Sequence, residues 1–124
     1  KNDTYGHQYG DEVLEKLSLL LKKESRTNDI IGRYGGEEIT IILPETDIQS
    51  AYDYAEKLRK KIKNMGLKAK ITVSMGICEY THGLCEGKNI EDVEKILIER
   101  ADTAMYFAKN SGKDKVEEYK EFME

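Results

Sequence analysis

Between Asp11 and about Ser25 the apolar residues Val13, Leu14, Leu17, Leu20 and Leu21 recur at helical spacing, while Glu12, Glu15, Lys16, Lys22 and Lys23 fill the opposite face. The pattern predicts an amphipathic helix capped by Asp11. A short strand follows around Asp29 to Tyr34, then Gly35-Gly36, then Glu38 to Leu43, in which Ile39, Ile41 and Leu43 alternate with Glu38, Thr40 and Ile42. Two apolar runs joined by Gly-Gly predict a tight hairpin, because glycine supplies the positive φ of primed turns. Pro44 stops the second run, and Asp47 is placed to cap a helix with the stripe Ile48, Ala51, Ala55, Leu58, Ile62 and Met65. Residues 69–80 are strand-like, and residues 82–88 read as an exposed loop. A third helix, starting near Asn89, carries Val93, Ile96, Leu97, Ala101, Ala104, Met105 and Ala108 inward to about Lys109. Gly112 ends it before a last strand at Lys115 to Tyr119.

Helix, hairpin, helix, strand, helix, strand is an α+β order, with helices packed on an antiparallel-rich sheet. The opening helix has no strand before it to pack beside. At 124 residues the chain fits one domain. Its 20 Lys and Arg are outnumbered by 24 Asp and Glu, so no basic face is available for a nucleic-acid backbone, although local basic clusters could hold a small phosphate ligand. No apolar run approaches the roughly 20 residues that span a bilayer, and the N-terminal stretch has no signal-peptide core, which predicts a cytoplasmic domain without membrane insertion. The two cysteines predict reduced thiols. Cys78, His82 and Cys85 lack a fourth ligand and finger spacing, and are read as incidental.

The chemistry concentrates in RYGGEEITIILP. Gly35 and Gly36 would let a ligand lie against bare backbone while a neighbouring carboxylate holds a hard cation. Consecutive strand residues face opposite ways, so Glu37 and Glu38 should have different tasks. The alternative is a plain hairpin turn flanked by solvated glutamates. Similarly, Asn2 suits a turn and Asp11 a helix cap, and lysines near a helix C-terminus are favoured by the macrodipole alone.

Three stretches, NDTYGHQYGDEVL, RTNDIIGRYGGEEI and RADTAMYFAKNSGKDKV, together resemble the GGDEF family of diguanylate cyclases over nearly the whole chain. The resemblance implies a single GGDEF domain over 1–124 with a nucleotide-cyclase, polymerase-palm-like fold. It also implies condensation of two GTP into cyclic di-GMP and pyrophosphate across a homodimer, dependent on Mg2+ (or Mn2+). By the same resemblance Glu37 belongs to the metal site and is a candidate for activating the attacking 3'-hydroxyl, and Glu38 is the second catalytic carboxylate. Asn2 and Asp11 fall on the guanine base, with His7, Gly35 and Gly36 among the substrate-binding residues. Lys109 and Lys113 of AKNSGK match a basic pair used on the triphosphate. Arg26 and Asp29, the RxxD pair, match a product-binding inhibitory site, for which Arg59 is a candidate further arginine.

The signature here is GGEEI, with Ile39 at the usual Phe position, a change of shape without a change of charge. Family members begin with a strand that carries a second metal-ligand aspartate. The sequence starts at Lys1, after that strand, which predicts weak nucleotide binding or no turnover for this exact polypeptide. An upstream sensory domain is expected in the full-length protein, which could be membrane-tethered. Two rivals follow: a catalytically inactive module that binds GTP or cyclic di-GMP for regulation, and a structural domain that binds no nucleotide.

Overall fold

The computed structural model describes residues 6–34, 38–68 and 70–124, the side chains at 7–9, 33, 34 and 85 excepted. The first helix, α1, runs Gly6–Glu24. Asp11 therefore lies inside α1 and does not cap it: the helical pattern extends one and a half turns upstream through residues whose polar character hid it. Strands β1 (Ile30–Tyr34) and β2 (Glu38–Ile42) form the predicted antiparallel hairpin, in the register Ile30 opposite Ile42 to Tyr34 opposite Glu38.

Helix α2 (Ile48–Lys63) starts where Asp47 predicts, with the Asp47 side chain accepting from the Ser50 amide at 2.8 Å. Asn89 caps α3 (Ile90–Asn110) in the same way, accepting from the Asp92 amide at 2.8 Å. Strands β3 (Ser74–Ile77) and β4 (Lys115–Glu118) pair in parallel, Ser74 opposite Lys115 to Ile77 opposite Glu118. The strand-like run at 69–80 thus narrows to four residues, because the ladder is only as long as its partner β4; Ala69 lies outside the described residues. Ahead of β3, Ile71 and Val73 keep the alternation and pack inward with Met75, with no ladder partner among the described residues. The loop at 82–88 contains a short 3-10 turn at His82–Cys85. Among the described residues β1–β2 and β3–β4 are separate two-stranded sheets, the second one parallel rather than antiparallel.

Leu21 of α1 and Leu58 and Ile62 of α2 form the buried centre, with Leu17, Leu20, Ile39, Ile41 and Tyr54 packed around them. Each such side chain contributes about 1.5–3 kcal/mol on leaving water. Ile39, at the position where the family favours Phe, takes the inward place that its β-branched shape suits. The other half of the fold is α3 on β3. A Cβ placed on Gly76 would sit 2.0 Å from the Ala101 carbonyl oxygen and 2.3 Å from the Met105 amide nitrogen, so the helix backbone rests directly on the strand. Ala104 and Ala108, both fully buried, continue that small-residue contact. A C-terminal 3-10 turn, Glu121–Met123, buries Met123 and brings Phe122 edge-on to Phe107 of α3 with ring centroids 6.2 Å apart.

Gly76→Ala should destabilise the domain by about 3 kcal/mol, the upper end of the overpacking range, because backbone rather than a mobile side chain must yield. Urea unfolding of the two proteins measures the difference, and a loss below about 0.5 kcal/mol would contradict the seat described.

Candidate functional site

The residues singled out by sequence fall into four groups. Asn2, Gly35, Gly36 and Glu37 lie outside the described residues, and His7 is described only as backbone within α1. Glu38 opens β2 and is exposed. It borders a groove of about 660 Å3 between β2 and α3, which Glu91, Glu94, Glu99, Asp102 and Lys95 also line. Asp11 is exposed on α1.

Arg26 and Asp29 are brought together most tightly. The Asp29 carboxylate accepts from the Arg26 amide at 2.9 Å and from the Arg26 Nε at 3.3 Å, while the Asp29 amide donates to the Arg26 carbonyl at 3.1 Å. The RTND stretch is thereby a closed turn between α1 and β1. Its two charges have unequal exposure: the Asp29 side chain is 1% exposed and the Arg26 side chain 54%. Asp29 therefore acts as an anchor, and the guanidinium is what the turn presents. The far side of the guanidinium is steadied by Nη2 donating to Thr46 Oγ1 at 2.7 Å, the same hydroxyl donating on to the Pro44 carbonyl at 2.9 Å. Thr46 was not foreseen, since nothing in a sequence links positions 20 apart across a hairpin.

Beneath this turn, the Tyr54 hydroxyl of α2 is buried with no hydrogen-bond partner among the described residues. Burial chiefly, and the neighbouring Asp29 carboxylate, push its phenol above the usual tyrosine range, against a smaller opposing pull from Arg26. Beside it Glu24 receives Lys61 at 2.6 Å and Lys57 at 3.8 Å, and the hydrogen bond from Lys61 holds the Glu24 carboxyl below its ordinary value. An apolar cavity of about 470 Å3 between α1 and the hairpin, lined by Leu14, Leu17, Ile31 and Ile39, has Asp29 at its edge.

Lys109 stands in the last turn of α3 and Lys113 in the turn that follows, both exposed. Neither has an ion-pair partner among the described residues. Arg59 does not join Arg26. Its guanidinium is taken up by Glu56 at 2.7 Å and Asp114 at 2.7 Å, with Lys63 adding a second contact to Asp114 at 2.6 Å. The Glu56 and Arg59 pairing was legible as an i, i+3 spacing; the Asp114 half joins residues 55 apart and was not. Hydrogen bonds from Lys63 and Arg59 hold the Asp114 carboxyl below its usual value. Among the described residues no group of three or more His, Cys, Asp or Glu is arranged to hold a metal ion, and no helix is long and apolar enough to cross a membrane.

The mixed architecture of helices and strands is that of an α+β palm-like nucleotide-cyclase domain. The family described as diguanylate cyclase, GGDEF domain, matches residues 1–115, and the chain belongs to that family. Diguanylate cyclase A of Treponema denticola is 38% identical over 120 residues, covering 93% of this chain and 30% of that protein. The response regulator PleD of Caulobacter vibrioides is 37% identical over 122 residues, covering 93% and 25%. The chain thus spans under a third of the curated relatives it matches. The active GGEEF domain of a diguanylate cyclase from Vibrio cholerae superposes with a TM-score of 0.83 at 31% identity, over 96% of this chain and 74% of that one. The GGDEF domain of DgcB from Caulobacter crescentus, solved in complex with c-di-GMP, superposes at 0.80 with 28% identity, over 94% and 68%.

Asp47 and Asp114 both have lowered carboxyl values in the fold, so the stability they contribute is complete above the unfolded value near 4 and is lost as pH falls through the lower folded values. The thermal midpoint should hold between about pH 7 and pH 5 and decline below about pH 4. Asp114→Asn should lower the neutral-pH midpoint and make the acid decline shallower; a parallel curve would remove Asp114 from the linkage.

Proposed function

We propose that the domain condenses two GTP molecules into cyclic di-GMP. Each 3'-hydroxyl oxygen attacks the α-phosphorus of the other nucleotide. Two P–O bonds form, two P–O bonds to pyrophosphate break, and the two hydroxyl protons pass to base or solvent. The observation that carries the reading is the Gly35-Gly36-Glu37-Glu38 signature, which follows β1 in the sequence and ends on the first residue of β2, in a domain whose relatives include named diguanylate cyclases.

Glu37 and Glu38 offer hard carboxylate oxygens, the donor type that suits Mg2+ or Mn2+. Glu37 would hold the cation, which when bound would neutralise charge on the phosphates. Glu37 would also take up the proton of the 3'-hydroxyl, with Glu38 as the second carboxylate. Asp11 and Asn2 would read guanine, the carboxylate accepting from its N1 and N2 hydrogens. Lys109 and Lys113 would meet the triphosphate, and Gly35 and Gly36 would leave room for it, with His7 beside the substrate. A single active site needs two nucleotides on opposed subunits, so the catalytic form would be a homodimer, assembled by a sensory domain in the intact protein and working in the cytoplasm, where GTP is available.

The closed Arg26–Asp29 turn supports product inhibition. A buried carboxylate holding a half-exposed guanidinium is a preformed anion and guanine reader. The same turn favours the second reading, a module without turnover that binds cyclic di-GMP to regulate a partner.

Incubating the protein that carries this domain with GTP and Mg2+, and following cyclic di-GMP by mass, separates the two. Turnover should be present in the parent and reduced about 100-fold or more in Glu37→Ala, the scale of several kcal/mol of charge stabilisation. Absence of product with retained cyclic di-GMP binding establishes the regulatory module, and absence of all nucleotide binding leaves a structural domain. In either binding case Arg26→Ala should weaken cyclic di-GMP about tenfold, as for one charge-assisted contact, in a calorimetric titration.

A further inference from the structure

We infer that Arg59 is a positioning residue for Lys113: by clamping Asp114 it holds the turn after α3 in the left-handed shape that presents Lys113 to phosphate. The inference rests on the reading of Lys113 as a triphosphate contact.

Three successive residues leave α3 with positive φ, Gly112 at 115°, Lys113 at 59° and Asp114 at 50°. Glycine adopts such angles freely, whereas lysine and aspartate do so only when their surroundings hold them there. One restraint is the helix end itself, where the Lys113 amide donates to the Ala108 carbonyl at 2.9 Å. That bond orients Lys113 but leaves Asp114 unexplained. The second restraint comes from α2. Arg59 Nη1 donates to the Asp114 carboxylate at 2.7 Å and to the Asp114 backbone carbonyl at 3.3 Å, gripping both the side chain and the peptide that sets the angle. Lys63 takes the other carboxylate oxygen at 2.6 Å.

The opposite edge of the guanidinium is fixed by Glu56, to which Nη2 donates at 2.7 Å and Nε at 3.3 Å. With its side chain only 14% exposed, Arg59 has its fork fully committed and is not an arginine awaiting a ligand. The arrangement has an electrostatic consequence as well. Asp114 adjoins Lys113 in the chain, and a carboxylate free to swing would neutralise that ammonium. Arg59 and Lys63 hold it on α2, so Lys113 stays exposed and without an ion pair among the described residues.

The test is a double-mutant cycle on GTP binding with Mg2+ in the protein carrying this domain. Arg59→Ala should weaken GTP about tenfold, the effect of releasing one strained turn, with Lys113→Ala similar in size. In the Lys113→Ala background the Arg59→Ala change should have almost no further effect, since the group it positions is gone. Asp114→Gly should lose less affinity than Asp114→Ala, because glycine takes the left-handed turn unaided. Additive losses, or a GTP affinity that follows thermal stability across the variants, would show that Arg59 merely supports the fold and overturn the inference. If Lys113→Ala weakens GTP and Arg59→Ala does not, the inference fails and the phosphate role of Lys113 stands. A parent that binds no GTP, or a Lys113→Ala protein that binds it normally, removes the reading beneath the inference and the inference with it.

Discussion

At Gly76, helix α3 lies on β3 without a side chain between them, and that seat organises much of the domain. Gly76 leaves the Ala101 carbonyl and Met105 amide in backbone-to-backbone range, and Ala104 and Ala108 of the same helix are fully buried. Such contact gains many small dispersion terms, but it has a single geometry, since neither partner has a flexible end that could give way. The direction of α3 is thereby set, and with it the point where the chain turns back through Gly112 to Asp114 into β4. β4 in turn pairs in parallel beside β3 because the helix returns it to the same edge.

The second organising contact, Leu21 against Leu58 and Ile62, joins α1 to α2 under the hairpin through Ile39 and Ile41. From it α2 extends charged side chains toward two separate turns. Toward the α1–β1 connection it contributes Lys57 and Lys61, both on Glu24; toward the α3–β4 connection it contributes Arg59 and Lys63, both on Asp114. α2 is thus the element through which the Arg26–Asp29 turn and the Lys113 turn are held relative to the core. The exposed lysines on Glu24 add little to stability singly, whereas the partly buried Arg59–Asp114 pair also restricts geometry.

Charge at these turns follows one rule. At Arg26–Asp29 the carboxylate is buried and the cation presented; at the α3 turn Asp114 is tied inward and Lys113 presented. In both places an acid is spent on structure so that a base faces solvent, on a chain whose formal net charge is -4. For a domain proposed to handle nucleotide phosphates, local arrangement thus supplies what overall composition does not.

Much of this was legible along the chain. The inward stripes of α2 and α3, the cap Asp47, the start of α3 near Asn89, the β1–β2 hairpin, and the family signature are all local in sequence, and short-range periodicity and turn chemistry report local structure faithfully. The RxxD spacing was likewise readable, although not that Asp29 would be buried and Arg26 half exposed. What only the tertiary structure decided depends on contacts distant in sequence. It set the start of α1 at Gly6, where a polar first turn shows no amphipathic signal, and the parallel pairing of β3, cut to four residues by the length of β4. It also joined Thr46 to Arg26 and Arg59 to Asp114, 20 and 55 positions apart. A linear pattern records which face a residue turns to the core, but the partner it finds there is chosen by the packing of whole elements, and that choice leaves no mark on either residue's neighbours.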